Sequence, residues 1–154
     1  MPLHHLIYES QARKLFTESE LAELLRKARA HNEANGLTGM LLYAPDGRFI
    51  QVLEGSMTAI HKLYFESIVH DPRHYRLQLL TAGVLDRRRF GSWRMGYRLA
   101  TCADLTDLSG HLDTADATFL LPLLHIPSPL LDKLLDYVQY TLPSPGLEEP
   151  SSQQ

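Results

Sequence analysis

The sequence is short of several things, and each shortage excludes something. A single cysteine, Cys102, leaves no internal disulfide to form. No cationic start followed by an apolar run marks a secretory leader, and no apolar run approaches the roughly 20 residues that span a bilayer. A cytoplasmic protein without a membrane segment is the expectation. Charge of one sign is also lacking: 15 Lys and Arg stand against 18 Asp and Glu, mixed along the chain, for a formal net charge of −3. That leaves no electrostatic footprint for nucleic acid or an anionic membrane. The run Arg87-Arg88-Arg89 is the exception and reads as a solvated edge or turn. Eight histidines are present, but neither His-Glu-x-x-His nor Cys-x-x-Cys spacing occurs, so no metal site is expected.

What is there is a chain of 154 residues, the usual size of one domain and enough for a sizeable core. Its most informative stretch is Phe49-Ile50-Gln51-Val52-Leu53-Glu54-Gly55. Strand alternation puts Phe49, Gln51 and Leu53 on one face and Ile50 and Val52 on the other, and both faces are apolar apart from one amide. Such a strand is covered on both sides, so Gln51 is buried and needs partners for two donors and two acceptor lone pairs. Neighbouring backbone or a buried water can supply them, as can a ligand.

In chain order, Leu3 to Tyr8 reads as a strand with Leu6 and Tyr8 on one face. Thr17-Glu18-Ser19-Glu20 is a capping box leading into a helix whose stripe runs Leu21, Leu24, Leu25, Ala28 and Asn32, and Asn35-Gly36 stops it. Leu37 to Ala44 pairs as a hairpin with the Gln51 strand through Pro45-Asp46-Gly47. A second helix carries Ile60, Leu63, Tyr64, Ser67, Ile68 and Asp71 on one side and ends at Asp71-Pro72. Tyr75 to Val84 reads as a fourth strand and Ser92 to Leu99, with Trp93 and Met95, as a fifth.

The order βαββαββ fits an α+β, ferredoxin-like sheet with two helices on one face. After Ala100 the chain reads as an Asp-rich loop, then a short helical segment at Phe119 to Leu124, then a helix from Ser128-Pro129 with Leu130, Leu131, Leu134, Leu135 and Val138 as its apolar stripe. That one-sided helix is expected to cover the opposite sheet face. The expected division is a domain over residues 1–100, a helical extension over 101–142 and a disordered tail over 143–154.

Tyr8, Asn32, Gln51 and Asp71 thus converge on the face between the sheet and the first two helices. Each left unpaired there costs about 1–3 kcal/mol, and a flat heteroaromatic ring with donors and acceptors along its edge would satisfy them. The residues that carry this pattern resemble a known family. Leu6-Ile7-Tyr8-Glu9-Ser10, Asn32-Glu33-Ala34-Asn35-Gly36-Leu37-Thr38-Gly39, Phe49 to Gly55, Asp71-Pro72-Arg73-His74 and Phe90-Gly91-Ser92-Trp93-Arg94-Met95-Gly96 are similar, in order and spacing, to the signature blocks of BLUF domains, the FAD-binding blue-light sensors. They span residues 3 to 99, and the rest of the chain resembles the short members that carry helices in place of a fused effector.

The resemblance implies non-covalent FAD and roles for particular residues. Tyr8 matches the electron and proton donor to the excited flavin. Gln51 matches the amide between that tyrosine and the flavin N5 and O4 edge, which is left rotated or tautomerised and shifts the absorption to the red. Asn32 matches the residue that holds the ring's carbonyl and imide edge, and Trp93 and Met95 match the pair that passes the signal outward. Two positions differ from the commonest pattern: Ser67 stands where arginine or lysine is frequent, and His31 where asparagine is frequent; Asp71, Arg73 and His74 are the substitutes on hand. The implied output is light-dependent contact with an effector protein or a change of homo-oligomer, without enzymatic activity of the chain itself. The competing reading is an enzyme on the same fold, acylphosphatase-like or a flavin oxidoreductase. For the former, the segment Glu9-Ser10-Gln11-Ala12-Arg13 lacks a glycine to bring backbone close to a phosphate.

Overall fold

In the computed structural model, which describes residues 2–110 and 129–140, a five-stranded sheet carries helices on both faces. The elements are β1 (Leu3–Ala12), α1 (Glu18–Asn35), β2 (Thr38–Tyr43), β3 (Arg48–Ser56), α2 (Met57–Leu63) continued by a π-helical turn (Tyr64–Ile68), β4 (His74–Leu85), β5 (Gly96–Leu99), α3 (Cys102–Ser109) and α4 (Pro129–Tyr140). Strand order is β4-β1-β3-β2-β5. The first four strands pair antiparallel, with Tyr8 opposite Gln51, and β5 joins β2 in parallel. This is the expected ferredoxin-like arrangement.

The local signals explain most of it. Thr17 and Glu20 form the capping box, and α1 ends where Gly36 adopts φ 69° and returns its N–H to the Asn32 carbonyl. Gly47, at φ 90°, turns the β2–β3 hairpin. Alternation along the strands then builds two cores. Leu6, Tyr8, Leu41, Phe49 and Leu53 pack under α1 and α2 with Leu21, Leu25 and Ile60. Ile7, Met40, Leu42, Ile50 and Val52 pack on the other side with Leu105 and Leu108 of α3 and Leu130, Leu131, Leu134 and Val138 of α4. The C-terminal apolar stripe therefore covers the far sheet face, as its one-sided pattern requires.

Four expectations need correction. The segment after Ala100 is not loop: Thr101 accepts the Asp104 N–H as an N-cap, and Leu105 and Leu108 are buried, so Cys102–Ser109 is a helix. The second helix does not run regularly to Asp71, because the Val69 N–H reaches back to the Tyr64 carbonyl and widens the last turn to π geometry. The fifth strand begins at Gly96, not Ser92. Its would-be start is occupied by α1 side chains: Asn32 Nδ2 donates to the Arg94 carbonyl (2.5 Å) and Arg29 Nε to the Met95 carbonyl (2.9 Å). Finally, the arginine run is only partly a solvated turn. Arg87 is exposed, but Arg88 donates to Thr38 Oγ1, to the Glu54 carbonyl and to the Gly36 carbonyl. The Phe119 to Leu124 segment, the Ser128 cap and the tail from Pro143 lie outside the described residues.

The far face also holds polar groups. Glu54 is fully buried, and its carboxylate accepts from the Thr38 hydroxyl and from the Arg89 and Phe90 N–H groups, which ties the β4–β5 connection to β3. Burial pushes its pKa up despite those donors. Beside it across the ladder is His5, 4 % exposed.

His5 makes stability depend on pH. Burial lowers its pKa from 6.5 to about 4, so the folded ring stays neutral while the unfolded chain takes up a proton. Its contribution is therefore intact at neutral pH and is lost as pH falls from about 6.5 towards 4, by up to about 3 kcal/mol. Urea unfolding across that window should show the loss, and His5→Leu should flatten it; an unchanged profile in the variant would contradict the assignment.

Candidate flavin site

Between α1 and the α2 π turn, above the β1–β3 centre of the sheet, lies a cavity of about 440 Å³. That volume is in the range of small-molecule sites. The sheet supplies its floor, because residues two apart share a face: Tyr8 and Ser10 from β1, Phe49 and Gln51 from β3, Leu41 from β2. One wall is α1, with Leu24, Leu25, Ala28 and Asn32 at helical spacing and Lys27 and His31 at the rim. The other is Leu63, Ser67 and Ile68, which the π turn brings to the same side. Asp71, Arg73 and His74 close one end.

At the centre Gln51 is held at both ends of its amide. The Tyr8 hydroxyl donates to Gln51 Oε1 in a short bond, and Gln51 Nε2 donates to Met95 Sδ at 3.4 Å. Tyr8 is fully buried beside Tyr64, with ring centroids 5.7 Å apart. Burial first, then the Tyr64 and Asp71 oxygens, push the Tyr8 pKa far above that of an ordinary phenol, so the phenol keeps its proton at neutral pH. Met95 is completely buried on this side of the sheet, whereas Trp93 packs on the far side near Phe90, with the Arg98 guanidinium 5.8 Å above its ring.

The remaining sequence-predicted residues divide. Asn32 is buried at the cavity and reaches from it to the Arg94 carbonyl. His74 lies between the Ser10 hydroxyl (2.9 Å) and the Ile68 carbonyl (2.7 Å), which links β1 to the π turn. The carbonyl can only accept, so Nε2 carries a proton, and in the neutral ring Nδ1 accepts from the Ser10 hydroxyl. Asp71 is not a free carboxylate: it grips the Arg73 guanidinium at 2.6 Å and accepts the Arg73 N–H, and that contact holds its pKa below the usual carboxylate range. His31 is an exposed rim residue. Ser10 was missed although it follows Tyr8 by two on the same strand face; Phe16, in the β1–α1 connection, carried no periodic signal at all. Arg29 was missed as well, and its part in the site is indirect, through the Met95 carbonyl.

These groups suit a flavin ring. The walls are apolar, the floor offers a phenol and an amide, and Asn32 and the Ser10–His74 pair add polar atoms around the edge. The acylphosphatase reading fares worse, since Glu9 to Ala12 continue β1 and form no phosphate-cradling loop.

The Asn32 bond is testable by itself. Asn32→Ala leaves the Arg94 carbonyl without its side-chain donor, at a cost of about 1–3 kcal/mol. The Gly39 N–H, which donates to the Trp93 carbonyl one residue earlier, should then exchange with solvent markedly faster. Unchanged stability and exchange would show that Asn32 does not hold this segment.

Comparison with known proteins agrees with the geometry. The family model described as "BLUF: Sensors of blue-light using FAD" matches residues 3–96. Among curated relatives, photoactivated adenylate cyclase subunit alpha of Euglena gracilis is 39 % identical over 87 residues, 56 % of this chain and 8 % of that protein. Subunit beta of Euglena longa is 41 % identical over 112 residues, 70 % of this chain and 13 % of that protein. The chain therefore spans only a small part of these relatives' length. Among solved structures, BlsA in its photo-activated state is 29 % identical with a TM-score of 0.67, covering 92 % of this chain and 98 % of that one. The dark-state structure of BlrB is 27 % identical with a TM-score of 0.63, covering 89 % and 95 %. A sheet-and-two-helix cavity with Tyr8 and Gln51 on its floor, together with a family match over 3–96, establishes that this chain belongs to the BLUF family, sensors of blue light that use FAD.

Proposed function

We propose that the chain is a non-catalytic light switch in which Gln51 is the moving part, Tyr8 its proton donor, and Met95 and Trp93 the route to the far sheet face. The observation that carries this is the double engagement of the Gln51 amide, with the Tyr8 hydroxyl at its oxygen and the Met95 thioether at its nitrogen. Bound FAD supplies the blue-light absorption and, when excited, an oxidant able to draw an electron and a proton from a phenol. Tyr8, Asn32, Gln51, Asp71, Arg73, His74 and His31 are the residues placed around the cavity to hold it.

The chain's own part follows from elementary donor and acceptor rules. The Tyr8 proton can pass along its bond to Gln51 Oε1 and return. If the amide comes to rest rotated, Nε2 faces the phenol oxygen and Oε1 faces Met95. A thioether sulfur accepts weakly and donates nothing, so the rotated amide loses its bond to Met95 and sets two lone-pair-bearing atoms against each other. Met95 must then shift. Its backbone and that of Arg94 are held from α1 by Arg29 and Asn32, and two residues earlier Trp93 lies in the far-face core. Displacement of Met95 therefore pulls on the side of the sheet covered by α3 and α4. A local hydrogen-bond change biasing a packed element is a recognised kind of switch.

The output is read as contact with a downstream effector protein, or as a change in homo-oligomer, on that far face. The working compartment is read as the cytoplasm; among the described residues no helix is long and apolar enough to cross a membrane. The protein should be yellow as purified with FAD, and blue light should move its flavin band to the red, reversibly in the dark. Gln51→Leu, close in volume but without the amide, should bind flavin and lose the shift completely, and Tyr8→Phe should do the same. A normal photocycle in either variant would contradict the mechanism.

A further inference from the structure

We infer that the basic, aromatic patch formed by Arg13, Arg73, Tyr75 and Arg76 is a subsite for the adenosine diphosphate half of the cofactor. The inference rests on the flavin reading above. A cavity of about 440 Å³ accommodates the ring system, but FAD also carries a pyrophosphate and an adenosine, and these have to lie outside it. The question is where the cavity mouth offers cations and a flat surface.

The rim offers two directions. On the α1 side stands Lys27, whose ammonium already faces Glu23 at 3.7 Å, with no exposed aromatic ring among its cavity neighbours. On the other side Arg73 lines the cavity and its guanidinium lies 6.0 Å from the centre of the Phe16 ring, itself part of the lining. Arg73 adjoins the next arginine through the backbone, where the Arg13 N–H donates to the Arg73 carbonyl at 2.9 Å. Arg13 and Arg76 both approach the Tyr75 ring, at 5.1 and 5.6 Å from its centroid, and that ring is 37 % exposed. Of the patch's three cations only Arg73 has a carboxylate partner, Asp71; Arg13 and Arg76 make no ion pair among the described residues.

The backbone adds an independent observation. Arg76 sits at φ 55°, the one non-glycine residue of positive φ among the described residues. Arginine rarely takes that conformation, and such outliers gather at ligand sites. Here it occurs in the part of β4 where pairing with β1 shifts register between Glu9 and Gln11, beside Tyr75. Guanidinium groups match phosphate geometry, and an exposed aromatic ring with flanking arginines is a stacking platform for a base. A pyrophosphate followed by an adenine is the ligand chemistry that this order of groups fits, reading outward from Arg73.

The test compares riboflavin, FMN and FAD on the full-length apoprotein by fluorescence titration. FAD should bind about tenfold or more tightly than FMN, in line with one base stacked on an aromatic platform. Tyr75→Ala should remove that advantage and leave the riboflavin affinity unchanged. Arg13→Ala should weaken FAD more than FMN, and added salt should weaken FAD most and riboflavin least. Unchanged riboflavin binding also shows that each variant is folded. Equal affinity of the wild type for FAD and FMN, or an equal loss for all three flavins in the variants, would overturn the subsite while leaving the flavin site standing. Failure of all three flavins to bind would overturn the flavin reading itself and the subsite with it.

Discussion

A side-chain amide on a central strand with both faces covered cannot be left to water, and Gln51 is in that position. Its register opposite Tyr8 fixes one partner, because cross-strand neighbours on one face are only about 5 Å apart at Cβ. Its other partner comes from outside the ladder, from a segment that fails to become strand until Gly96. The site is thus built from one obligatory contact supplied by sheet register and one conditional contact supplied by a loop. The proposed switch uses that asymmetry: the first partner stays in place, and the second shifts.

The same strand organises the two sides of the protein. Gln51 faces the flavin cavity, while Ile50 and Val52 face the core shared with α3 and α4, and Glu54 anchors the connection that leads to Trp93 and Met95. Because β3 and the β4–β5 connection are tied together at Glu54, the connection has one fixed end and one end resting on Gln51. On the proposed switch, movement of Met95 runs towards Trp93. Polar pins also join the far-face helices to the sheet and to each other: Arg48 donates to the Cys102 carbonyl, and the Tyr137 hydroxyl to Asp104. On the proposed switch, a displacement at Trp93 would meet this docked layer, the face assigned above to the partner.

Much of this was legible in the sequence because its signals were periodic. Strand alternation put Tyr8 and Gln51 on one face and Ile50 and Val52 on the other, the Thr17–Glu20 box and Gly36 bounded α1, and the C-terminal stripe pointed to a second covered face. What escaped was non-periodic or depended on tertiary contacts. The Asp-rich look of residues 102–109 hid an N-cap at Thr101 with two buried leucines behind it. The loss of the start of the last strand is decided by Asn32 and Arg29, more than 60 residues away in the chain. The cluster around Tyr75 depends on a register shift and a left-handed arginine that no local pattern announces.

The most direct measurement is a light-minus-dark infrared difference spectrum of FAD-loaded protein carrying isotope-labelled glutamine, with Gln51→Glu as the control for assignment. If the amide is the moving part, a labelled side-chain carbonyl band shifts between dark and light and the signal disappears in the variant. A difference spectrum without any glutamine band, alongside a normal red shift of the flavin, would contradict the claim that Gln51 carries the switch.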